Sequence, residues 1–224
     1  MRLGDLTTDG VDRVTALLVP LGSTEQHGPH LPLDTDTQIA VAIADAAAAR
    51  AEGVVVSDPL PFGSSGEHAG FAGTLSIGTG ALRLVLVELV RSIDWADRVV
   101  FVNGHGGNHE GVRLAVEQLV VEGHRVESWS PHIPDGDAHA GYSETSLMLA
   151  VAADRVRIDL AEPGTTTPLA EMMPQLREGG VRSVSPNGVL GDPTGASVEH
   201  GERLLASLVD ALVKVLETPS CSER

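Results

Sequence analysis

Residues 16–50 read ALLVPL, then GSTEQHGPHLPLDTD, then TQIAVAIADAAAAR: an apolar run of strand length, a polar loop, and an alanine-rich stretch with Ile39, Ile43 and Ala47 on one helical face. The same alternation recurs along the chain. Residues 54–56 (VVV) read as a second strand, and residues 80–93 as a helix with Leu82, Leu86 and Leu89 at helical spacing. Residues 98–102 (RVVFV) form a β-branched and aromatic strand that ends at Asn103. A further amphipathic helix follows at 108–122, a strand at 124–129, and helices at 143–153 and 198–216. Strands that alternate with helices need crossover connections, so the expected class is α/β: a mostly parallel sheet between two helical layers, a three-layer α/β/α domain.

At 224 residues the chain can bury one sizeable core, and no linker divides it. A single domain over residues 1–217 is expected, with the polar residues 218–224 as a disordered tail. The chain has 31 acidic against 15 basic residues and a formal charge of −16, so its surface repels nucleic acid and anionic lipid. Cys221 is the only cysteine, which excludes an internal disulfide framework. The start MRLGDLTTDG lacks the basic and apolar regions of a signal peptide, and no apolar run approaches the roughly 20 residues of a membrane helix. A cytoplasmic location is expected, with no nucleic-acid or membrane partner.

In an open parallel sheet, ligands bind beyond the carboxyl ends of the strands. The histidines and carboxylates cluster there. The loop after residues 16–21 holds Glu25, His27, His30, Asp34 and Asp36. Glu25 and His27 are two residues apart, so an extended segment points both to one side, and the turn imposed by Gly28, Pro29 and Pro32 brings Asp36 back towards them. Carboxylates with imidazoles suit Zn, Mn or Fe(II). Asp36 is equally suited to capping the helix that follows.

NGHGGN (103–108) follows the third strand, and its glycines turn His105 towards the first cluster. A phosphate cradle is the rival reading, although the glycine spacing does not fit a dinucleotide fingerprint. In DAHAGYSETS (137–146), Glu144 lies in a first helical turn, as a metal ligand or as a surface carboxylate compensating the helix dipole. His139 in the preceding loop is placed to donate or accept a proton. The loop GSSGEHAGFAG (63–73) offers Glu67 and His68, of which His68 either meets substrate or is an ordinary loop histidine. His109 is expected on an exposed first turn, and His124, His132 and His200 as ordinary loop or surface residues. A serine elbow and a cysteine paired with histidine are both missing from the sequence, which removes the usual covalent hydrolase mechanisms.

The order GSTEQHGPHLPLDTD, GEHAGFAGT, FVNGHGGN, DAHAGYSETS and GVLGDPTGAS resembles the creatininase family of metal-dependent amidohydrolases, from about Leu18 to about Gly201. The resemblance implies the creatininase-like α/β/α fold, assembly into hexamer-like homo-oligomers, and a site for two divalent ions, Fe(II), Zn(II) or Mn(II). By matched motif, Glu25 and His105 would hold one ion, His27 the other, and Asp36 would bridge them. Creatininase carries an acidic residue two positions after the histidine of its NGH motif, where this chain has Gly107. Glu144 is the substitute the ETS motif offers, as ligand and catalytic residue, with His139 as the group that protonates the departing amine. His30 and His68 are placed at the substrate. Tryptophans that close over substrate in creatininase lack counterparts in residues 130–141, which disfavours creatinine.

PLPFGSSGEHAGFAGT and SPNGVLGDPTGAS are most similar to the branch of the family that acts in mycofactocin maturation. That similarity implies a modified precursor peptide as substrate, cut near a carboxyl-terminal Val-Tyr pair already decarboxylated and cross-linked. The alternatives are hydrolysis of a cyclic amide or a formamide, and a metal-stabilised scaffold without catalysis.

Overall fold

The computed structural model describes residues 1–11 and 14–218, so residues 219–224 of the expected tail lie outside the described residues. Four strands, β1 (Ala16–Leu21), β2 (Val54–Val56), β3 (Val99–Asn103) and β4 (Val126–Trp129), form one parallel sheet in the order β2-β1-β3-β4. Leu17 to Leu21 pair in sequence with Val99 to Asn103, and Leu18 is the last residue of β1 to pair with β2. Leu17 N–H donates to Arg98 O, so by alternation the donor that Pro20 lacks would face β2, beyond the end of that ladder. The proline therefore sits in a central strand at no cost in hydrogen bonds.

The helices are α1 (Thr35–Ala48), α2 (Gly78–Arg91), α3 (His109–Val121), α4 (Tyr142–Ala152), α5 (Leu169–Gly179), α6 (Val181–Val184) and α7 (Val198–Glu217). Because side chains alternate along a strand, the sheet feeds two cores. Leu18, Val56, Val100 and Val102 pack with Ile39 and Ile43 of α1, Met148 of α4 and Leu212 of α7. On the other face Leu17, Val19, Val99 and Phe101 pack with Leu82 and Leu86 of α2 and Val112 and Leu119 of α3. The result is the expected α/β/α sandwich. Burying each such side chain stabilises the fold by about 1.5–3 kcal/mol before conformational entropy is counted. Among the described residues, no helix is long and apolar enough to cross a membrane.

Several elements differ from the sequence reading: α2 lies two residues earlier, at Gly78–Arg91, and β4 starts two residues later, at Val126. Helix α1 begins two residues early, at Thr35, whose hydroxyl donates to Pro32 O at 2.7 Å, with Asp34 in the cap position. Helices α5 and α6 occupy residues 169–184, where Pro174 lies inside α5 and breaks the pattern by which a helix would be recognised.

From β1 the chain crosses to β2 on one side and later returns to β3 on the other, so the loops after β1 and β3 diverge and leave a crevice between them. Close approach of these loops depends on glycine. A Cβ on Gly104 would lie 2.6 Å from Asp36 O and 3.1 Å from Ala40 Cβ, jamming the loop after β3 into the first turn of α1. Gly104→Ala is accordingly expected to destabilise the protein by about 1–3 kcal/mol, seen as a lower denaturation midpoint. An unchanged midpoint would show that α1 yields at this contact.

Candidate metal centre

Two asparagines tie the loops at the crevice together. Asn103 Nδ2 donates to His105 O at 3.0 Å, while its Oδ1 accepts from Asn108 Nδ2 at 3.2 Å. Asn108 Nδ2 also donates to Gly22 O at 3.0 Å, and its Oδ1 accepts from Ser64 N–H at 2.8 Å. Thus the NGHGGN motif fixes His105 and clamps the loops that begin at Gly22 and Gly63. On the opposite wall, Leu190 pairs its backbone with His139, and Asp137 accepts from the N–H groups of Tyr142 and Ser143 at the start of α4. Ala140, at φ 52°, makes the tight bend into that helix, where its N–H donates to Glu144 Oε2 at 2.6 Å.

These loops converge on Asp36, which is buried between two imidazoles. Its Oδ1 lies 3.1 Å from His27 Nε2 and its Oδ2 3.0 Å from His105 Nδ1, while Ser23 Oγ donates to Oδ2 at 2.8 Å. All its contacts face inwards, so Asp36 does not cap α1. His27 Nδ1 is 3.2 Å from Glu25 O; with the proton on that nitrogen, Nε2 is left as a ligand atom. Glu25 is 0% exposed and neither of its oxygens has a hydrogen-bond partner, although His68 Nε2 and His105 Nε2 each stand 3.2 Å away. A fully buried carboxylate without hydrogen bonds is costly unless a cation meets it. Among the described residues, three groups have ligand atoms close enough to share an ion: Glu25, Asp36 and His105; His27, Asp36 and Glu144; and Glu25, His27 and His139.

The electrostatics follow from crowding. Burial opposes charge on His27, but the Asp36 carboxylate lifts it to about 10, and the same contest lifts His105 to about 9. Asp36 is held well below the usual carboxylate range by those histidines despite its burial. Burial and then Asp36 push Glu25 up to about 7; burial likewise raises Glu144 to about 7. His68 and His139 are pushed down by burial and by the neighbouring histidines, His68 to about 3.

A cavity of about 820 Å³ opens onto the cluster. Asp36, His105, His68, His139 and Glu144 line its inner end, and Leu169, Met173, Leu176 and Val181 from α5 and α6 form an apolar outer wall with Leu190. His30 does not line this cavity. Its Nε2 is 2.8 Å from Thr145 Oγ1 and burial lowers it to about 4, so it belongs to the scaffold behind Glu144 and not to the substrate face expected for it. His109 is exposed, as read from the sequence. The sequence reading missed Gln26, which lies between the two ligand candidates of EQH. Gln26 Nε2 is 2.9 Å from His68 Nδ1 and 3.0 Å from Gly188 O, and Gln26 O is 2.9 Å from His139 Nε2. One glutamine therefore orients two cavity histidines. It also missed the α5–α6 wall, hidden by Pro174.

The family model described as creatininase, creatinine amidohydrolase, matches residues 4–216. A mycofactocin precursor peptide peptidase of Mycolicibacterium smegmatis is 53% identical over 204 residues, covering 88% of this chain and 82% of the relative. A protein of the same name from Mycobacterium tuberculosis is 46% identical over 224 residues, covering 95% and 89%. A solved creatinine amidohydrolase superposes with a TM-score of 0.79 at 27% identity, over 96% of each chain. Solved creatininases include a Zn-Zn type and an Mn form.

The shifts predict how the chelator-treated protein responds to pH. His27 and His105 keep protons that the unfolded chain releases near 6.5, so their stabilisation is complete below about 6.5 and is lost as pH rises through 9 and 10. Glu25 and Glu144 act in the same sense, their contribution fading between 4.5 and about 7. His30 and His68 act oppositely: their contribution is present above 6.5 and is lost as pH falls towards about 4 and about 3. Metal-free protein is thus expected to melt highest near about pH 6 and less stably at each step towards pH 10. Added Zn(II), which must displace site protons, is expected to stabilise increasingly over the same range. A metal-free melting temperature that climbs from pH 7 to 10 would contradict this.

Proposed function

The chain belongs to the creatininase family, and on that premise we propose that it is a metal-dependent peptidase that cuts an amide near the carboxyl end of the modified mycofactocin precursor peptide. One observation carries the chemistry: a fully buried Glu25 carboxylate without hydrogen bonds, ringed by imidazoles at the end of a cavity. Its close relatives direct the choice of substrate.

Glu25 and His105 are proposed to hold one divalent ion and His27 with Glu144 the other, Asp36 bridging them; Zn(II), Fe(II) and Mn(II) all suit this donor set. When bound, the ions polarise the scissile carbonyl and provide hydroxide at neutral pH. The protein's own groups do the rest. With His139 Nε2 donating to Gln26 O, Nδ1 carries the lone pair that can take a proton from the attacking water and then hand it to the departing amine, and it stands 3.9 Å from Glu25 Oε1. His68, fixed by Gln26, faces the same cavity and is assigned to substrate. The apolar wall of α5 and α6 suits a neutral, bulky peptide end, and the surrounding carboxylates disfavour a terminal carboxylate. Exposed Leu84, Val85 and Leu89 on α2 and Val120 and Val121 on α3 support assembly of a homo-oligomer.

Two variants test the ligand set. Asp36→Asn removes the charge while preserving the residue's shape and is expected to abolish metal binding and turnover, while Glu144→Ala is expected to lower metal content by up to half. Full occupancy in either, by elemental analysis of the purified protein, removes that residue from the centre.

Mass spectrometry of peptide incubated with metal-loaded enzyme tests the reaction. Peptide with a decarboxylated, cross-linked terminal pair should be cleaved to release that pair as an amine, and unmodified peptide should be cleaved poorly. Chelator should stop the reaction, and His139→Ala should slow it by roughly 10² to 10⁴ with metal content intact. Hydrolysis of creatinine or a formamide, with the modified peptide untouched, would instead make this an amidohydrolase of small amides; inactivity on all of them would leave a scaffold.

A further inference from the structure

His105 has a carboxylate neighbour supplied by a different loop. Glu67, in the middle of the 3-10 turn Gly66–His68, brings Oε1 to 3.4 Å from His105 Nε2 and lines the cavity. It reaches this position because Gly107 has no side chain. A Cβ on Gly107 would land on Glu67 Oε1 and on Ser64 O, and 2.5 Å from His105 Nε2. The volume that a side chain two residues after His105 would fill is thus taken by Glu67.

A second, independent observation points to a cation at this place. Glu25 Oε2, fully buried and without a hydrogen bond, stands 3.2 Å from the same His105 nitrogen. Ligand atoms about 2.1 Å from a tetrahedrally bound ion are about 3.4 Å from one another, so each carboxylate taken singly stands at that distance from His105 Nε2, beside Ser64 O at 3.2 Å. Glu144 cannot serve here, because it faces His27, with Oε2 3.9 Å from His27 Nε2.

We propose that Glu67 is a carboxylate of the metal centre, placed on the cavity side of His105 in the space that Gly107 leaves free. The proposal rests on the metal-centre reading above. It accounts for Gly107 as the residue that admits a carboxylate from elsewhere in the chain, and it divides the centre between Glu67 beside His105 and Glu144 beside His27. Because Glu67 has a third of its side chain exposed and packs little, its removal should leave the metal-free fold intact.

The test uses Zn(II) alone. Full-length parent, Glu67→Gln and Glu67→Asp proteins are stripped with chelator and titrated with Zn(II) against a chromophoric competitor. Glu67→Gln is expected to weaken one of two Zn(II) sites at least tenfold. Glu67→Asp, which keeps the charge but withdraws it by one methylene, is expected to fall between that variant and the parent. Melting of the stripped proteins should be unchanged. Zn(II) affinities within twofold of the parent in Glu67→Gln overturn the proposal while leaving the two-metal reading standing. An equal loss in Glu178→Gln, another carboxylate at the cavity wall, also overturns it, because the effect would then be general charge. A parent chain that binds no Zn(II) defeats the metal-centre reading itself.

Discussion

Asp36 is the pivot of this molecule: one carboxylate, closed off from water, answering two imidazoles that arrive from different strands. Coulomb attraction across about 3 Å in a low-dielectric interior outweighs the desolvation of the partners only when each has an opposite charge at hand. While His27 and His105 answer Asp36, Glu25 is buried without a hydrogen bond, with His68 and His105 each 3.2 Å away, and burial and then Asp36 push its pKa up to about 7. The cluster is therefore incomplete as a set of protein groups, and it is completed either by protons or by divalent ions. Acid–base behaviour and metal affinity are two expressions of that one shortage of positive charge.

The fold makes the pivot possible by geometry more than by strength. A switch in strand order parts the loops after β1 and β3, and the asparagine pair of NGHGGN ties those same loops together below the opening. Gly104 then lets the second loop lie against the backbone of the first turn of α1. In this arrangement the ligand candidates from residues 25–36 and 105 share one small volume although nearly 70 residues separate them.

Much of this was legible in the sequence because period and spacing carry it. The four strands and five of the helices stand close to the positions that their apolar patterns suggest, and Glu25, His27, Asp36, His105, His139 and Glu144 do gather at one end of the sheet. What was hidden depends on through-space contacts. Gln26 orients His68 and His139 from a position whose neighbours in sequence drew all the attention. Glu67 meets His105 only because of an absent side chain at Gly107, and an absence has no periodicity. Helix α5 contains Pro174 and has little buried surface, so neither composition nor pattern marks it, though it shapes the cavity. His30 has the composition of a site residue, and only its contact with Thr145 shows that it faces the scaffold.

Gly180, between α5 and α6, adopts φ 68°, and a Cβ there would lie 2.6 Å from the carbonyl oxygen of Glu67. The outer wall of the cavity is thereby seated on the backbone that presents one of its inner carboxylates. For anyone wishing to reshape the cavity, this sets a rule of where to cut. Residues exchanged on the cavity face of α5 alter the wall alone, whereas insertions or side chains at the 179–180 junction are transmitted to the turn at residues 66–68 and so to His105. Residues 166–168, exposed between the backbone hydrogen bonds of Gly164 and Thr165 to residues 189–191 and the start of α5, are the place where loop length can be changed while that junction keeps its register.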